Sequence, residues 1–285
     1  MRNVSNKPLL FTLSDSFLGS YGSAGNRSQD EWHLFDWRDC ATCPNLDDCD
    51  PGCLHLSTIP FEKIGGFVFE PGSSSGLVRF PPKSLIQNIS KLIKQHSGFI
   101  QINEITTGMG RTGKWFGFQH YDMHPDIVSI GKGLGNGFPV SAIAMSREII
   151  AILDQISFHY HQSHQNDPLG SAVAKQVITV LKEQNLIEKC NQIGAYFLER
   201  LFQLKNSYQF IKEIRGRGLM IAIEFQETTS NEFMDTLYQK CIRRGYIIAR
   251  RPGLNVFRID PPLIISKKQI DDFLENFEQI LNESS

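Results

Sequence analysis

No stretch of this 285-residue chain is apolar for long enough to cross a membrane, and residues 1–8 lack the apolar region of a signal peptide. An excess of one charge is missing too. Its 29 Lys and Arg against 30 Asp and Glu leave a formal net charge of -1, without the basic footprint of a nucleic-acid binder. There is no internal repeat and no low-complexity tract, which excludes solenoid and disordered-linker architectures. These absences predict a soluble, cytoplasmic protein with no membrane or nucleic-acid partner. The length suffices for one large core or two moderate domains.

Cysteine is also scarce, but its distribution is uneven. Four of the six cysteines fall in one short stretch, Cys40, Cys43, Cys49 and Cys53, with spacing C-x2-C-x5-C-x3-C. In a reducing compartment two readings stand side by side. Four thiolates can close a tetrahedral zinc site or hold an iron–sulfur cluster, or the segment is an exposed insertion, about 36–57, with reduced and unligated thiols. Cys190 and Cys241 lie in helical patterns and read as core thiols.

What is present is an alternation of strand and helix signals. Residues 64–71, 98–102 and 126–130 are short apolar runs ending in Gly or polar turns, and residues 82–94 between the first two carry apolar residues at helical spacing. Strand, helix, strand in that order predicts an α/β fold with a mostly parallel sheet. Ligands in such sheets gather at the carboxyl ends of strands, where Glu70, Asn103 and Lys132 lie. From Pro168 the texture changes, with helical patterns over 172–181 and 186–204 and strand-like runs at 218–225 and 256–259. The boundary divides a large domain, 1–168, from a smaller α+β carboxy-terminal domain, 169–285.

Lys132 stands in residues 129–139, Ser-Ile-Gly-Lys-Gly-Leu-Gly-Asn-Gly-Phe-Pro, at a strand end and fenced by glycines that let a flat ligand approach the backbone. That setting suits a Schiff-base lysine. Upstream, residues 98–116 run from an apolar strand into a glycine-rich polar turn. These two blocks, with residues 120–128, 215–220 and 258–263 in order behind and around them, make the chain resemble the class III pyridoxal-phosphate aminotransferases, the ornithine, acetylornithine and 4-aminobutyrate group. The resemblance covers most of the chain.

The resemblance implies the type I fold of pyridoxal-phosphate enzymes, pyridoxal 5'-phosphate as cofactor, and transfer of an amino group from an amine or amino acid to a 2-oxo acid. Lys132 would hold the cofactor and shuttle the substrate proton. Phe17 would stack on the cofactor face, Thr106 would sit near its phenolic oxygen, and Arg258 would take the substrate α-carboxylate. Ser163 would reach the cofactor phosphate of a neighbouring subunit, which implies a homodimer. Asn103 departs from the family, which has an aspartate pairing with the pyridine nitrogen. Asparagine hydrogen-bonds but carries no charge, so either the cofactor site is weakened or retuned, or the neutral substitution is tolerated. Glu104 does not replace the carboxylate, because adjacent strand residues face opposite ways.

Two further departures limit what is carried over. Ser75 stands where family members that use 2-oxoglutarate often place a glutamate gating the arginine, so preference for that acceptor is not implied. The resemblance also begins late in the family pattern, without the turn and helix start that bind the cofactor phosphate. The chain is expected to be amino-terminally truncated, with a separately encoded segment as a possible partner. The alternative function is a catalytically inactive aminotransferase-like fragment or assembly subunit. His159, His161 and His164 are read as solvated loop or interface residues rather than metal ligands.

Overall fold

The computed structural model describes residues 3–16 and 31–284, and they divide into two compact units. The first comprises Met1–Ser73, Phe80–Gly108 and Phe116–Thr179. Its sheet has six strands: β1 (Leu9–Leu13), β2 (Trp32–Phe35), β3 (Ile64–Phe69), β4 (Phe99–Asn103), β5 (Ile127–Ile130) and β6 (Ala142–Met145), in the order β2-β1-β3-β4-β5-β6. All neighbours are parallel except β6, which runs antiparallel to β5. All six residues of β3 are buried, the pattern of a strand covered on both faces.

Two helices of the cysteine-rich region and the crossover follow the same logic. The short α1 (Leu54–Ser57) buries Leu56 alone. The crossover helix α2 (Lys83–Gln95) buries Leu85, Ile86, Ile89 and Ile93, spaced so that they form one stripe. That stripe joins Phe11, Phe67, Phe69, Ile100 and Tyr121 in one core. Each such large apolar side chain stabilises the unit by about 1.5–3 kcal/mol when fully buried. The helix α3 (Arg147–Gln155) starts at Ser146, whose hydroxyl accepts from the Ile149 N–H.

The second unit comprises Ser74–Arg79, Met109–Trp115 and Val180–Ser285. The helix α4 (Pro168–Glu183) begins in the first unit and ends in this one, followed by α5 (Leu186–Lys205). A four-stranded antiparallel sheet, β7 (Ile211–Arg217), β8 (Met220–Phe225), β9 (Ala249–Arg250) and β10 (Val256–Ile259), is ordered β7-β8-β10-β9. The remaining helices are α6 (Asn231–Arg243) and α7 (Lys267–Asn282). A capping box between Ser266 and Gln269 starts α7, which buries Ile270, Phe273, Leu274, Phe277, Ile280 and Leu281. Gly194 of α5 meets the turn between β7 and β8 so closely that a Cβ there would lie 2.2 Å from the Gly218 carbonyl oxygen.

The α/β expectation holds, and the three anticipated parallel strands lie within two residues of β3, β4 and β5. Five strands, β1, β2, β6, β7 and β9, and two helices, α1 and α3, lie outside the runs that the sequence pattern marks. β1 and β2 border a region where sequence signals are short, β6 is small and exposed, and β7 carries Lys212, Glu213 and Arg215 in place of an apolar alternation. Such strands form because a neighbour pairs with them, not because their own pattern demands it. Among the described residues no helix is long and apolar enough to cross a membrane.

Candidate active site

The lysine loop begins where β5 ends. Gly131 is extended, and Lys132 opens a short 3-10 turn, Lys132–Leu134, with its carbonyl accepting from Gly135 N–H and Asn136 N–H. Lys132 has φ 42°, a left-handed conformation uncommon for a residue with a Cβ. Such local strain is concentrated at functional sites. Gly135 has to be glycine here, because a Cβ would stand 2.0 Å from the Phe138 carbonyl oxygen. The loop thereby turns back while Lys132 Nζ donates to Thr106 Oγ1 at 2.9 Å.

Thr106 follows the end of the adjacent strand. β4 and β5 pair with Asn103 opposite Ser129, so the ends of these parallel strands bring Asn103, Thr106 and Lys132 to one edge of the sheet. On the other side of β4, Phe69 pairs with Ile102, which sets Glu70 level with Asn103. Asn103 Nδ2 donates to Glu70 Oε1 at 3.0 Å, while Asn103 Oδ1 accepts from the Ile105 N–H at 3.2 Å. Glu70 is 4% exposed, a buried carboxylate beside a half-buried amide.

Glu104 faces a different set of groups. Its Oε2 accepts from Thr107 Oγ1 at 2.7 Å and Gly117 N–H at 2.9 Å, and its Oε1 from Phe118 N–H at 2.8 Å. Burial pushes its carboxyl above the usual range, against the opposing pull of those three donors. Its work is to fasten the residues after β4 to Gly117 and Phe118, which holds the backbone that carries Thr106.

The other expected site residues are separate from this group. Ser163 lies in an exposed loop, as do His159, His161 and His164, and the His164 ring sits 3.6 Å from Asp167. Phe17 falls outside the described residues. Arg258 belongs to β10 of the second unit, where its Nε and Nη2 make a bidentate pair with Asp260 Oδ2 and Oδ1. Sequence reasoning missed two carboxylates, Glu70 as the partner of Asn103 and Asp260 as the partner of Arg258. The first could have been found from strand register, and the second from the i, i+2 spacing that puts both side chains on one face of an extended segment.

The cysteines occupy a region of their own. Cys40, Cys43, Cys49 and Cys53 all line a cavity of about 310 Å³, together with Asp39, Asp50 and His55. Asn88 Nδ2 donates to the Cys49 carbonyl and Ser84 Oγ to that of Leu46, so α2 ties this segment down. Burial, followed by the neighbouring thiols, pushes the Cys40 thiol up to about 11, and burial raises that of Cys49. Cys40, Cys49 and Cys53 pack against the apolar core, and among the described residues no group of three or more His, Cys, Asp or Glu is placed to hold a metal ion.

Comparison with known proteins gives these arrangements a context. Over 265 residues the chain is 29% identical to the leucine/methionine racemase of Thermococcus litoralis, covering 87% of this chain and 59% of that protein. It is 33% identical over 221 residues to an ornithine aminotransferase of Exiguobacterium sp., covering 77% of this chain and 53% of that one. A crystal structure of a transaminase from the marine bacterium Virgibacillus superposes with a TM-score of 0.85 at 24% identity, covering 99% of this chain and 69% of that chain, which establishes the type I fold. The chain thus spans 53% to 59% of the length of these two curated relatives. The model of the family "Aminotransferase class-III" matches residues 55–281, beginning just after the last clustered cysteine. By that match, which takes in Asn103, Thr106, Lys132 and Arg258, the chain belongs to the class III aminotransferases.

Proposed function

We propose that this chain binds pyridoxal phosphate at Lys132 and takes part in transferring an amino group from an amine or amino acid to a 2-oxo acid. The observation that carries the proposal is the meeting of Lys132 Nζ with Thr106 Oγ1 at 2.9 Å at the strand edge that also holds Asn103. The donor set fits the cofactor: an amine for its aldehyde, a hydroxyl for its phenolic oxygen and an amide for its ring nitrogen. When bound, pyridoxal phosphate supplies an electron sink for the carbanion left by proton removal.

The residues of this chain have distinct tasks. The Lys132 amine is the nucleophile that anchors the cofactor and, once released, the base that takes the proton from the substrate carbon. Thr106 orients that amine. Arg258 receives the substrate carboxylate through its guanidinium fork, in competition with Asp260, which holds the fork now. The resemblance assigns the ring face to Phe17, which lies outside the described residues, and the phosphate of a second subunit's cofactor to Ser163. That homodimer is supported by the exposed apolar side chains Ile143, Met145, Ile150 and Leu169. Light scattering separates a dimer of this chain from pairing with a separately encoded amino-terminal segment.

A test adds pyridoxal phosphate to purified protein and follows its visible band through alternate additions of amino acid and 2-oxo acid. Loss of the aldehyde band with the first and its return with the second support transamination. A protein that never develops a band, as expected of an inactive fragment, refutes the proposal. The similarity to a racemase motivates a second reading, in which the same lysine returns the proton to the opposite face. Interconversion of amino-acid enantiomers without amino transfer selects it. The metal reading of Cys40, Cys43, Cys49 and Cys53 rests on their spacing alone, since among the described residues no three such groups are placed to hold an ion. Elemental analysis decides it, since lack of stoichiometric zinc or iron removes the claim.

A further inference from the structure

Asn103 supplies an amide where the family pattern has a carboxylate, yet a carboxylate lies one hydrogen bond away. Glu70 Oε1 accepts from Asn103 Nδ2 at 3.0 Å, and Glu70 is 4% exposed. An ionised carboxylate only accepts hydrogen bonds, so Glu70 takes the NH2 end of the amide and fixes which end is which. The Ile105 N–H donates to Asn103 Oδ1 at 3.2 Å and holds the same orientation from the other side. An amide oxygen has two lone pairs, so Oδ1 can accept a second donor.

The two protonation states of a pyridine nitrogen make opposite demands on such a partner. The unprotonated nitrogen needs a donor, whereas the protonated one needs an acceptor and is stabilised by nearby negative charge. We propose that Glu70 is a positioning residue that acts through Asn103 as the displaced counter-charge of the ring nitrogen, keeping that nitrogen protonated without a carboxylate in direct contact. The inference rests on the reading of Lys132 and Asn103 as a pyridoxal-phosphate site. It makes the neutral residue at 103 part of a two-residue unit with Glu70, not a site stripped of its charge.

The experiment loads the protein with pyridoxal phosphate labelled with 15N in the ring and records the nitrogen resonance against pH. It compares wild type, Glu70→Gln, Glu70→Asp and the double variant Glu70→Gln with Asn103→Asp. Wild type is expected to keep the nitrogen protonated through neutral pH. Glu70→Gln should lower the protonation midpoint by about one unit, the small end of the range for a nearby opposite charge, because the charge acts across an intervening side chain. Glu70→Asp should restore part of the shift, and the double variant, with its carboxylate moved into direct contact, should restore it fully. If Glu70→Gln fails to fold, Glu70→Met, which removes the charge at similar volume, is titrated in its place, and a midpoint equal to that of wild type overturns the inference. A labelled, Lys132-dependent signal whose midpoint ignores Glu70→Gln overturns this inference alone, and no Lys132-dependent signal in wild type overturns the site reading and the inference with it.

Discussion

Glu104 in the first unit and Glu224 in the second are both nearly inaccessible, at 1% and 8% exposure, yet their surroundings drive them in opposite directions. Glu104 meets only neutral donors, and burial lifts its carboxyl above the ordinary range. Glu224 is also penalised by burial, but the Arg215 guanidinium 2.6 Å away, with Lys212 and Arg79 beyond it, outweighs that penalty and holds it below the ordinary range. Dipoles suffice to fasten a loop, whereas a charge inside an antiparallel sheet is kept by countercharges. The unit carrying the lysine site contains a carboxyl whose pKa burial raises, and the other unit one whose pKa countercharges lower.

The comparison is broken most severely by removing the countercharge. Arg215→Met leaves Glu224 without its closest cation and the Leu77 and Val78 carbonyls without their donor, and should cost about 3 kcal/mol in denaturant unfolding. An effect below experimental error would show that Glu224 does not depend on the pair. Next in size, Glu104→Gln replaces an acceptor of three hydrogen bonds with a group that has one oxygen, and should cost about 2 kcal/mol.

The pH dependence sharpens the contrast by its sign. A carboxyl whose folded pKa is raised contributes stability at pH below its unfolded value, near 4.3, and loses it as pH rises through the folded value. The penalty of Glu104→Gln should therefore be greatest in acid and shrink toward neutrality. Glu224 has the opposite linkage, because its folded pKa is lowered: its stabilisation is present above the unfolded value and lost as pH falls through the folded one. The penalty of Glu224→Gln should shrink in acid. Parallel pH profiles for the two variants would contradict the account. The smallest effect concerns Asp260→Asn, which releases Arg258 from a partly exposed pair and should lower KM for carboxylate substrates about two- to fivefold, with kcat less affected.

Legibility in the sequence followed the strength of local signals. β3, β4 and β5 could be read because residues buried on both faces form continuous apolar runs, and α2 because its stripe repeats every three to four residues. β7 could not, since its polar residues are held in a strand by pairing with β8 and by ion pairs to Glu224. Within the site, Lys132 and Thr106 could be named from motif blocks, and the structure places them 2.9 Å apart. The sequence marks Glu70 only as the end of a strand. Its bond to Asn103 depends on the register of β3 against β4, and two residues 33 apart in sequence carry no local sign of that pairing.

The central claim is that the lysine of the left-handed turn after β5 captures pyridoxal phosphate. The most direct test mixes the protein with the cofactor, reduces with borohydride, and locates the pyridoxyl group by peptide mass spectrometry. The account predicts one stoichiometric adduct on Lys132 that disappears in Lys132→Ala. Labelling scattered over surface lysines, or an equal yield in Lys132→Ala, would contradict it.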